Sequence, residues 1–271
     1  MINNFQDLWR TPIYLPYLQP ELTDNILKQA EEQLGYKLPV ELVELLKVQN
    51  GGYINMSIPE SPHNVISGIG PYFPSLLDFN FEEIQEYVSY SLKGLIPFDG
   101  DGHWYLCLDY RKDNGSPYVT FIDIECDEQE IIAKSFSGYL SKLEMQVDDK
   151  YVIEGIDSIE TILNQLSSLL KSSFATPDSF EHGYPIYRAE LGDENNPEWI
   201  WISPNIVPNA FVRENDRRYT ELKLLVTNNK KRYTKLPEHS YQVSFTEGVR
   251  KEILEAFASL NIELKELSWY Y

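Results

Sequence analysis

The residues best suited to chemistry are the histidines and cysteines, and their spacing argues against a catalytic or metal-binding role. The histidines are His63, His103, His182 and His239. None of them lies at helical metal-ligand spacing from another histidine, a cysteine or a carboxylate. Cys107 and Cys126 lie in strand-like runs and form no C-x-x-C pair. The sequence therefore predicts no catalytic residue, no metal site and no cofactor, in a reduced and cytoplasmic protein.

An aspartate-rich segment, Asp99-Gly100-Asp101-Gly102, has the composition of a calcium loop. An EF-hand loop places oxygen ligands at alternate positions and closes with a bidentate glutamate. Here His103 occupies the third ligand position, and Cys107 and Tyr110 stand where later ligands belong. We interpret the segment as a turn with two outward carboxylates. The chain also has no P-loop, no G-x-G-x-x-G, and no glycine before the serine of "SFSGY" that would make a nucleophile elbow.

The most acidic run of the chain is "DIECDEQE", residues 123–130. If "YVTFIDIE" forms a strand, the side-chain period of two places Asp123 and Glu125 on one wet face and turns Ile122 and Ile124 to the core. Carboxylates at a sheet edge also deter unwanted strand pairing, which is a purely structural reason for the run. The alternative interpretation is a recognition patch for a basic partner protein.

The net charge of −19 is unevenly distributed along the chain. Residues 1–171 contain 27 Asp and Glu against 11 Lys and Arg, whereas residues 172–271 contain 15 against 12. An acidic surface repels nucleic-acid phosphates and accelerates the encounter with basic partners. The stretches "RENDRR" and "NNKKRYTK" combine basic residues with tyrosine, but we interpret them as charged hairpin tips. We predict no nucleic-acid partner. No stretch approaches the ~18 apolar residues that a membrane span requires, so we predict no membrane partner.

Two helices are expected near the start of the chain. Thr23 is suited to cap the first helix, and Gly35 is suited to its left-handed C-terminal turn. Pro39 fits the first turn of the second helix, which Asn50-Gly51-Gly52 then ends. We interpret Asn50-Gly51-Gly52 as an architectural stop rather than a ligand site, and the following "YINMSI" as a strand.

A β-meander follows a long surface excursion over residues 57–79. Asn80 and Glu83 resemble the capping box of a third helix. The runs "GLIPF", "HWYLCLDY", "YVTFIDIE" and "EIIAKSF" predict strands, and "SGYLSKL" predicts a short helix. A further helix with strong apolar periodicity is expected after Asp157 and Glu160.

The second half of the chain predicts a small α+β domain of unknown type. Residues 172–185 are rich in serine and proline and are assigned to a linker between residues 1–171 and 186–271. Strands are expected at "PIYRAEL", "EWIWIS", "YTELKLLV", "YQVSF" and "IELKELSW", with one helix at about 247–260. Trp199 and Trp201 share a strand face, and together with Trp269 they are expected to be core or interface anchors.

The order of signals in residues 22–143 resembles the SUKH superfamily of Smi/Knr-type proteins. The resemblance rests on the junction from Glu31 to Pro39, the Asn50-Gly51-Gly52 stop, "IPFDGDGHWYLCLD" and "IAKSFSGYLSKL". It implies an α+β fold with helices packed on a mixed, mostly antiparallel sheet. Many bacterial members of this superfamily are immunity proteins that neutralise a cognate toxin, often a nuclease, and fungal members are scaffolds in cell-wall and signalling control.

We therefore predict an immunity-type binding protein that occludes a basic toxin and is not an enzyme. The residues assigned to partner binding are Asp99, Asp101, Trp104, Glu125, Asp127 and Glu128. Two alternatives stay open: a regulatory scaffold for an endogenous partner, and an enzyme whose site lies in the C-terminal domain. The enzyme alternative predicts a deep pocket that contains an ionisable group with a shifted pKa.

Overall fold

The chain divides into two compact units, Met1–Gln146 and Val147–Tyr271. The structure, a computed structural model, describes residues 4–59, 61–112, 115–145, 150–156, 158–175, 177, 182–192 and 195–271. Each unit has its own apolar core, and each combines helices with antiparallel strand pairs. The fold class is therefore α+β.

The described residues of the first unit form three α-helices and nine strands. Its helices are α1 (Asp24–Leu34), α2 (Val40–Val48) and α3 (Phe136–Leu140). Its strands are β1 (Ile13–Tyr14), β2 (Gly52–Tyr53), β3 (Met56–Ser57), β4 (Val65–Ile66), β5 (Leu95–Gly100), β6 (Trp104–Asp109), β7 (Tyr118–Asp123), β8 (Glu128–Ala133) and β9 (Glu144–Met145). The expected strand "YINMSI" is in fact the two short strands β2 and β3, which pair with β4 and β9 respectively.

The two N-terminal helices begin and end close to where their sequence signals predict. The Thr23 side chain accepts a hydrogen bond from the Ile26 amide, and Gly35 has a left-handed φ of 77° at the end of α1. Pro39 immediately precedes α2 rather than lying in its first turn. Both helices pack apolar residues into the core of the first unit.

The Asn50 side chain, just after the end of α2, connects this turn to two other segments of the chain. Its side-chain nitrogen donates to the Pro20 carbonyl at 2.6 Å and to the Ile69 carbonyl at 2.9 Å, and its side-chain oxygen accepts from the Ile69 amide at 2.8 Å. Gly51 has a φ of 95°, and a Cβ there would lie 2.7 Å from the Gly68 nitrogen. The prediction that this motif is architectural agrees with this geometry, because the Asn50 side chain joins three chain segments.

A four-stranded antiparallel sheet in the order β5-β6-β7-β8 forms the centre of the first unit. One face, including Phe98, Leu106 and Val119, packs into the core with the helices. The other face, including Cys107 and Ile122, packs under the segment that precedes β5. Both faces are therefore covered along most of their length.

Residues 80–92, all of which the structure describes, do not form the predicted third helix. Asn80 instead caps a single turn by accepting from the Glu82 amide, and only a short 3-10 helix, Gln85–Tyr87, follows. The Gln85 side chain donates to the Tyr90 carbonyl and accepts from the Leu92 amide. These bonds fold the segment back onto the sheet, so its apolar spacing reflects packing against a flat surface rather than a helical stripe.

An ion pair with little exposure fastens this segment to the sheet. Arg111 donates to both carboxylate oxygens of Asp109, at 2.9 and 2.7 Å, and Thr120 donates to one of them. Arg111 also donates to the Ser91 carbonyl and to the Gln129 side chain. Burial alone would raise the pKa of Asp109, but the hydrogen bonds and charge of Arg111 lower it below its ordinary value.

In the part of the second unit that the structure describes, there are three α-helices and eight strands. Its helices are α4 (Ile159–Leu170), α5 (Tyr219–Leu222) and α6 (Arg250–Ser259). Its strands are β10 (Tyr151–Glu154), β11 (Tyr187–Glu190), β12 (Trp199–Pro204), β13 (Ile206–Pro208), β14 (Ala210–Phe211), β15 (Asn229–Lys231), β16 (Ser240–Phe245) and β17 (Lys265–Glu266). A five-stranded sheet in the order β11-β12-β16-β10-β17 supports α4 and α6 on one face.

The boundary between the units lies earlier than residue 171, where the sequence analysis places it. Strand β10 is in the middle of the second sheet, and Leu163, Leu166 and Leu170 of α4 belong to the second core. A strong helical period shows which face of a helix is buried but not which sheet it packs on. The described part of the predicted linker is also tied to this unit, because the Ala175 amide donates to the Arg188 carbonyl at 2.8 Å. Asp157 lies outside the described residues.

Two of the predicted C-terminal strands have a different structure. The run "YTELKLLV" forms α5 and a 3-10 turn, with Leu222 buried and Leu224 75% exposed. The run "IELKELSW" contains only the two-residue strand β17 before another 3-10 turn. Trp199 and Trp201 stack on one face of β12 with ring centroids 6.4 Å apart, whereas Trp269 is 64% exposed.

Candidate functional site

Two aromatic rings lie half-exposed at one end of the four-stranded sheet. Trp104, at the start of β6, stacks on Phe121 of β7 with ring centroids 5.8 Å apart and an interplanar angle of 19°. Both side chains pack against the edge of the first core. Their position follows from the register, in which Phe121 lies opposite Leu106 and Trp104 lies two residues before Leu106 on the same face.

Carboxylates surround this aromatic pair on the same face of the sheet. Asp123 lies directly opposite Trp104 in the β6–β7 register. In the β7–β8 register, Glu128 lies opposite Asp123 and Glu130 lies opposite Phe121. Glu128 and Glu130 are both exposed. Side chains at directly opposed positions are near neighbours, so three carboxylates border the two rings.

The turns at the same end of the sheet add further charges. Asp101 accepts hydrogen bonds from the His103 and Trp104 amides at 2.9 and 3.3 Å. Its partial burial favours a raised pKa, but these bonds lower the pKa of Asp101 below its ordinary value. The Nδ1 atom of His103 lies 2.7 Å from a Glu125 oxygen, and the hydrogen bond and charge of Glu125 raise the pKa of His103. Asp127 accepts from the Ser89 amide at 2.7 Å.

Side chains from this sheet face and from the turns beside it lie at one end of the sheet, and we name them the acidic-aromatic patch. It consists of Asp101, Trp104, Phe121, Asp123, Glu125, Asp127, Glu128 and Glu130. Five of the six residues that the sequence analysis assigned to partner binding lie at this end of the sheet. Phe121, Asp123 and Glu130 were not assigned. The strand period of two groups Phe121 with Asp123 on one face of β7, but only the strand registers show that Trp104 and Glu130 share that face.

Asp99 lies inside the domain instead. Only 6% of its surface is exposed, and all four of its hydrogen bonds are internal. One carboxylate oxygen accepts from His63 Nδ1 at 2.6 Å and from the Asn64 and Val65 amides at 3.1 and 3.2 Å, and the other accepts from the Gly100 amide at 2.9 Å. Asp99 therefore supports the β5–β6 turn from below and is not available to a partner on the surface.

Asp99 belongs to a buried chain of polar groups with His63 and Tyr139. His63 is 1% exposed and Tyr139 is fully buried, and His63 Nε2 lies 2.5 Å from the Tyr139 hydroxyl. Burial, followed by the nearby charge of Asp99, raises the pKa of Tyr139 well above its ordinary value. The hydroxyl therefore stays protonated, and the two ring nitrogens of His63 link it to the Asp99 carboxylate. These three residues are far apart along the chain, so their spacing in the sequence could not reveal this arrangement.

Residues 21–142 match the model of the SMI1 / KNR4 family (SUKH-1). Over this range the chain is similar to the family, and we name residues 21–142 the SUKH-1 domain. No curated protein matches the chain at a significant level of similarity. The match covers a little under half of the chain and includes α1 to α3, the four-stranded sheet, the acidic-aromatic patch and the buried chain from Asp99 to Tyr139.

The cysteines and carboxylates of the SUKH-1 domain show no sign of thiol reactivity or metal binding in the described residues. Burial raises the pKa of Cys107 well above its ordinary value, so its thiol is a packed side chain. Cys126 is exposed, and the charge of Asp123 raises its pKa as well, which keeps it in the less reactive thiol form. Within the described residues, no group of three or more His, Cys, Asp or Glu side chains could hold a metal ion.

No helix in the described parts of the chain is long and apolar enough to cross a membrane. The charge of the first unit is the more pronounced of the two: it contains 22 Asp and Glu against 9 Lys and Arg. What the SUKH-1 domain offers to a partner is therefore a negatively charged surface with two partly exposed rings. Rings of this kind and fully desolvated contacts commonly supply most of the energy of a protein interface, while rim charges set the rate and the choice of partner.

Proposed function

We propose that this protein is an immunity-type binding protein whose SUKH-1 domain neutralises a cognate basic toxin by covering it. The observation that carries the proposal is the stacked pair of Trp104 and Phe121, half-exposed and bordered by carboxylates on one sheet face. A nuclease is a fitting target, because a face that binds phosphates is positively charged. The proposal includes a cytoplasmic location and a mechanism without catalysis by this protein.

In the proposed mechanism, the carboxylates affect the association rate and the aromatic rings affect the dissociation rate. The carboxylates attract the positive face of the toxin over about 8–10 Å in physiological salt and so raise the association rate. The rings then lose their remaining contact with water, which slows dissociation. The toxin is blocked because its substrate cannot enter the same face.

Co-expression with the product of the adjacent gene tests this proposal. We expect that product to kill cells on its own, and we expect this protein to restore growth and to co-purify with it. Trp104→Ala should weaken the complex by about 2 kcal/mol, in the range of interface anchors. If a lethal neighbour is neither rescued nor bound by the wild-type protein, the proposal is wrong.

A pair of charge reversals provides the matched control. Glu128→Lys with Glu130→Lys reverses two exposed charges in the patch, and Glu21→Lys with Glu44→Lys reverses two exposed charges elsewhere in the first unit. Both variants change the net charge equally. We expect the patch variant to slow association by at least tenfold at low salt and the control to change it little. Equal effects would mean that total charge, and not the patch, attracts the toxin.

A further inference from the structure

Strand β8 is the outer strand of the four-stranded sheet. In the described residues it pairs with β7, and it follows β7 at the end of the strand order. Its first four residues, Glu128–Ile131, are all exposed, and Ile131 is 44% exposed. An edge strand presents backbone N–H and C=O groups that can pair with another extended chain.

The strand is also held in place at several points. The Tyr90 hydroxyl donates to the Glu128 carbonyl at 2.9 Å, and the Lys142 side chain donates to the Ile132 carbonyl at 2.6 Å. Arg111 donates to the Gln129 side chain at 2.9 Å. Strand β8 is therefore held near both of its ends before any partner arrives, which lowers the entropic cost of pairing with it.

The side chains of β8 alternate in chemistry. Glu128 and Glu130 lie on the face of the acidic-aromatic patch, opposite Asp123 and Phe121, while Gln129 and Ile131 lie on the other face. In a paired strand, directly opposed side chains interact, and opposite charges stabilise the pair. A complementary strand would present Lys or Arg at every second position and apolar or small polar residues between them.

The same alternation discriminates against wrong partners. If two β8 edges paired with each other, their glutamates would lie opposite one another on one face of the sheet. Like charges at opposed positions destabilise the pair. A basic strand turns this repulsion into attraction. The carboxylates that protect the edge from self-association thus select the partner.

We propose that β8 is the docking edge for a short, extended, basic segment of the partner, which adds to the sheet as a fifth strand. The identity of that partner as a toxin rests on the function proposed above. The segment would lie beside Trp104 and Phe121, so strand pairing and ring contacts would form one continuous interface. Backbone pairing supplies affinity in this mode, and the alternating side chains supply specificity.

Two peptides of equal composition test the docking edge without the toxin. The first is acetyl-Thr-Lys-Val-Lys-Val-Lys-Thr-amide, in which lysines alternate, and the second is acetyl-Thr-Lys-Lys-Val-Val-Lys-Thr-amide, in which no two lysines are two residues apart. We expect the alternating peptide to bind the full-length protein about threefold more tightly, since only this order lets two lysines face Glu128 and Glu130 at the same time. We also expect it to slow amide hydrogen exchange at residues 129–131.

The controls separate this inference from the proposed function. Glu130→Lys should abolish the preference for the alternating peptide, whereas Glu44→Lys on α2 should preserve it. Equal binding of the two peptides, no binding of either, or binding without slower exchange in β8 would overturn the docking edge. The rescue experiment would still decide the immunity function in that case. Conversely, a failed rescue with intact peptide docking would overturn only the toxin as the partner.

Discussion

Replacing Asp99 with asparagine tests whether this residue supports the fold or forms a binding surface. The substitution keeps the shape of the side chain but removes its charge and replaces one acceptor oxygen with an NH2 donor. Asp101→Asn, two residues away, is the matched control. Asp101 is exposed, and one of its oxygens accepts from both the His103 and the Trp104 amide, so an amide oxygen can accept these two bonds in the variant.

The size of the effect follows from the four hydrogen bonds of Asp99. If the amide oxygen of the variant replaces the oxygen that accepts from His63, Asn64 and Val65, the NH2 group faces the Gly100 amide, a donor, at 2.9 Å. The opposite orientation places NH2 against three donors. At least one charge-assisted bond is lost and one buried donor is left unsatisfied, which together cost about 3 kcal/mol. The control should change stability by less than about 0.5 kcal/mol.

Differential scanning calorimetry of the full chain measures both variants. For a unit of this size, about 3 kcal/mol corresponds to a fall of about 10 °C in the transition of the first unit. Hydrogen exchange of peptides from β5 to α3 assigns the transition to that unit. If Asp99→Asn and Asp101→Asn shift the transition by the same small amount, the buried chain from Asp99 to Tyr139 does not stabilise the fold and the reasoning is refuted.

Three further predictions concern groups that are fixed by hydrogen bonds. Asp109→Asn should lower the free energy of unfolding by about 2–4 kcal/mol, because it leaves the charge of Arg111 without its carboxylate partner, and urea denaturation measures the loss. Asn50→Ala should cost about 2–3 kcal/mol in the same assay, since three buried hydrogen bonds disappear together. A loss below about 0.5 kcal/mol in either variant would contradict its assigned role. Glu154→Gln should cause a modest loss of stability at pH 7. Hydrogen bonds from Lys265 and then from a tyrosine hydroxyl lower the pKa of Glu154 below its ordinary value of 4.5. The stabilisation is therefore fully present above pH 4.5 and disappears as the pH falls through the lowered pKa of the folded state. The difference between wild type and variant should shrink in acid, and a gap that stays constant down to pH 3 would contradict the assignment.

Local signals were sufficient for the parts of the fold in which neighbours in sequence determine structure. The cap at Thr23, the left-handed Gly35 and the meander of β5 to β8 follow from capping rules and strand alternation. The burial of Asp99 could not be predicted from such local signals, because the register of β5 shifts between Pro97 and Asp99. This bulge turns Asp99 toward His63, so a residue that reads as the start of a turn is buried.

Other parts of the structure depend on contacts between residues that are distant in the chain. His63 lies in a segment without periodicity, and only the tertiary fold brings it to Asp99 and Tyr139. The short run around Leu222 and Leu224 suits a strand or a helix equally well, and its surroundings decide. The patch was more accessible to prediction, because charge and the period of two are local properties, although Phe121 needed the register to reveal it.

The buried chain and the acidic-aromatic patch are physically connected, and this connection yields a final prediction about binding. The Asp99 carboxylate holds the Gly100 amide, and the turn that follows positions Asp101 and Trp104. Loosening Asp99 should therefore let Trp104 move, which raises the dissociation rate of a partner through lost preorganisation. Because Asp99 is buried and internally paired, its substitution should leave the salt dependence of the association rate close to that of the wild type.

Glu128→Lys should show the opposite behaviour, with slower association and a weaker dependence on salt, since an exposed rim charge acts at long range. Stopped-flow association at several salt concentrations, on variants held well below their melting temperature, separates the two cases. If Asp99→Asn reduces the salt dependence of association as much as Glu128→Lys does, then Asp99 acts on the partner directly. Its internal hydrogen bonds would then not describe its role in the complex.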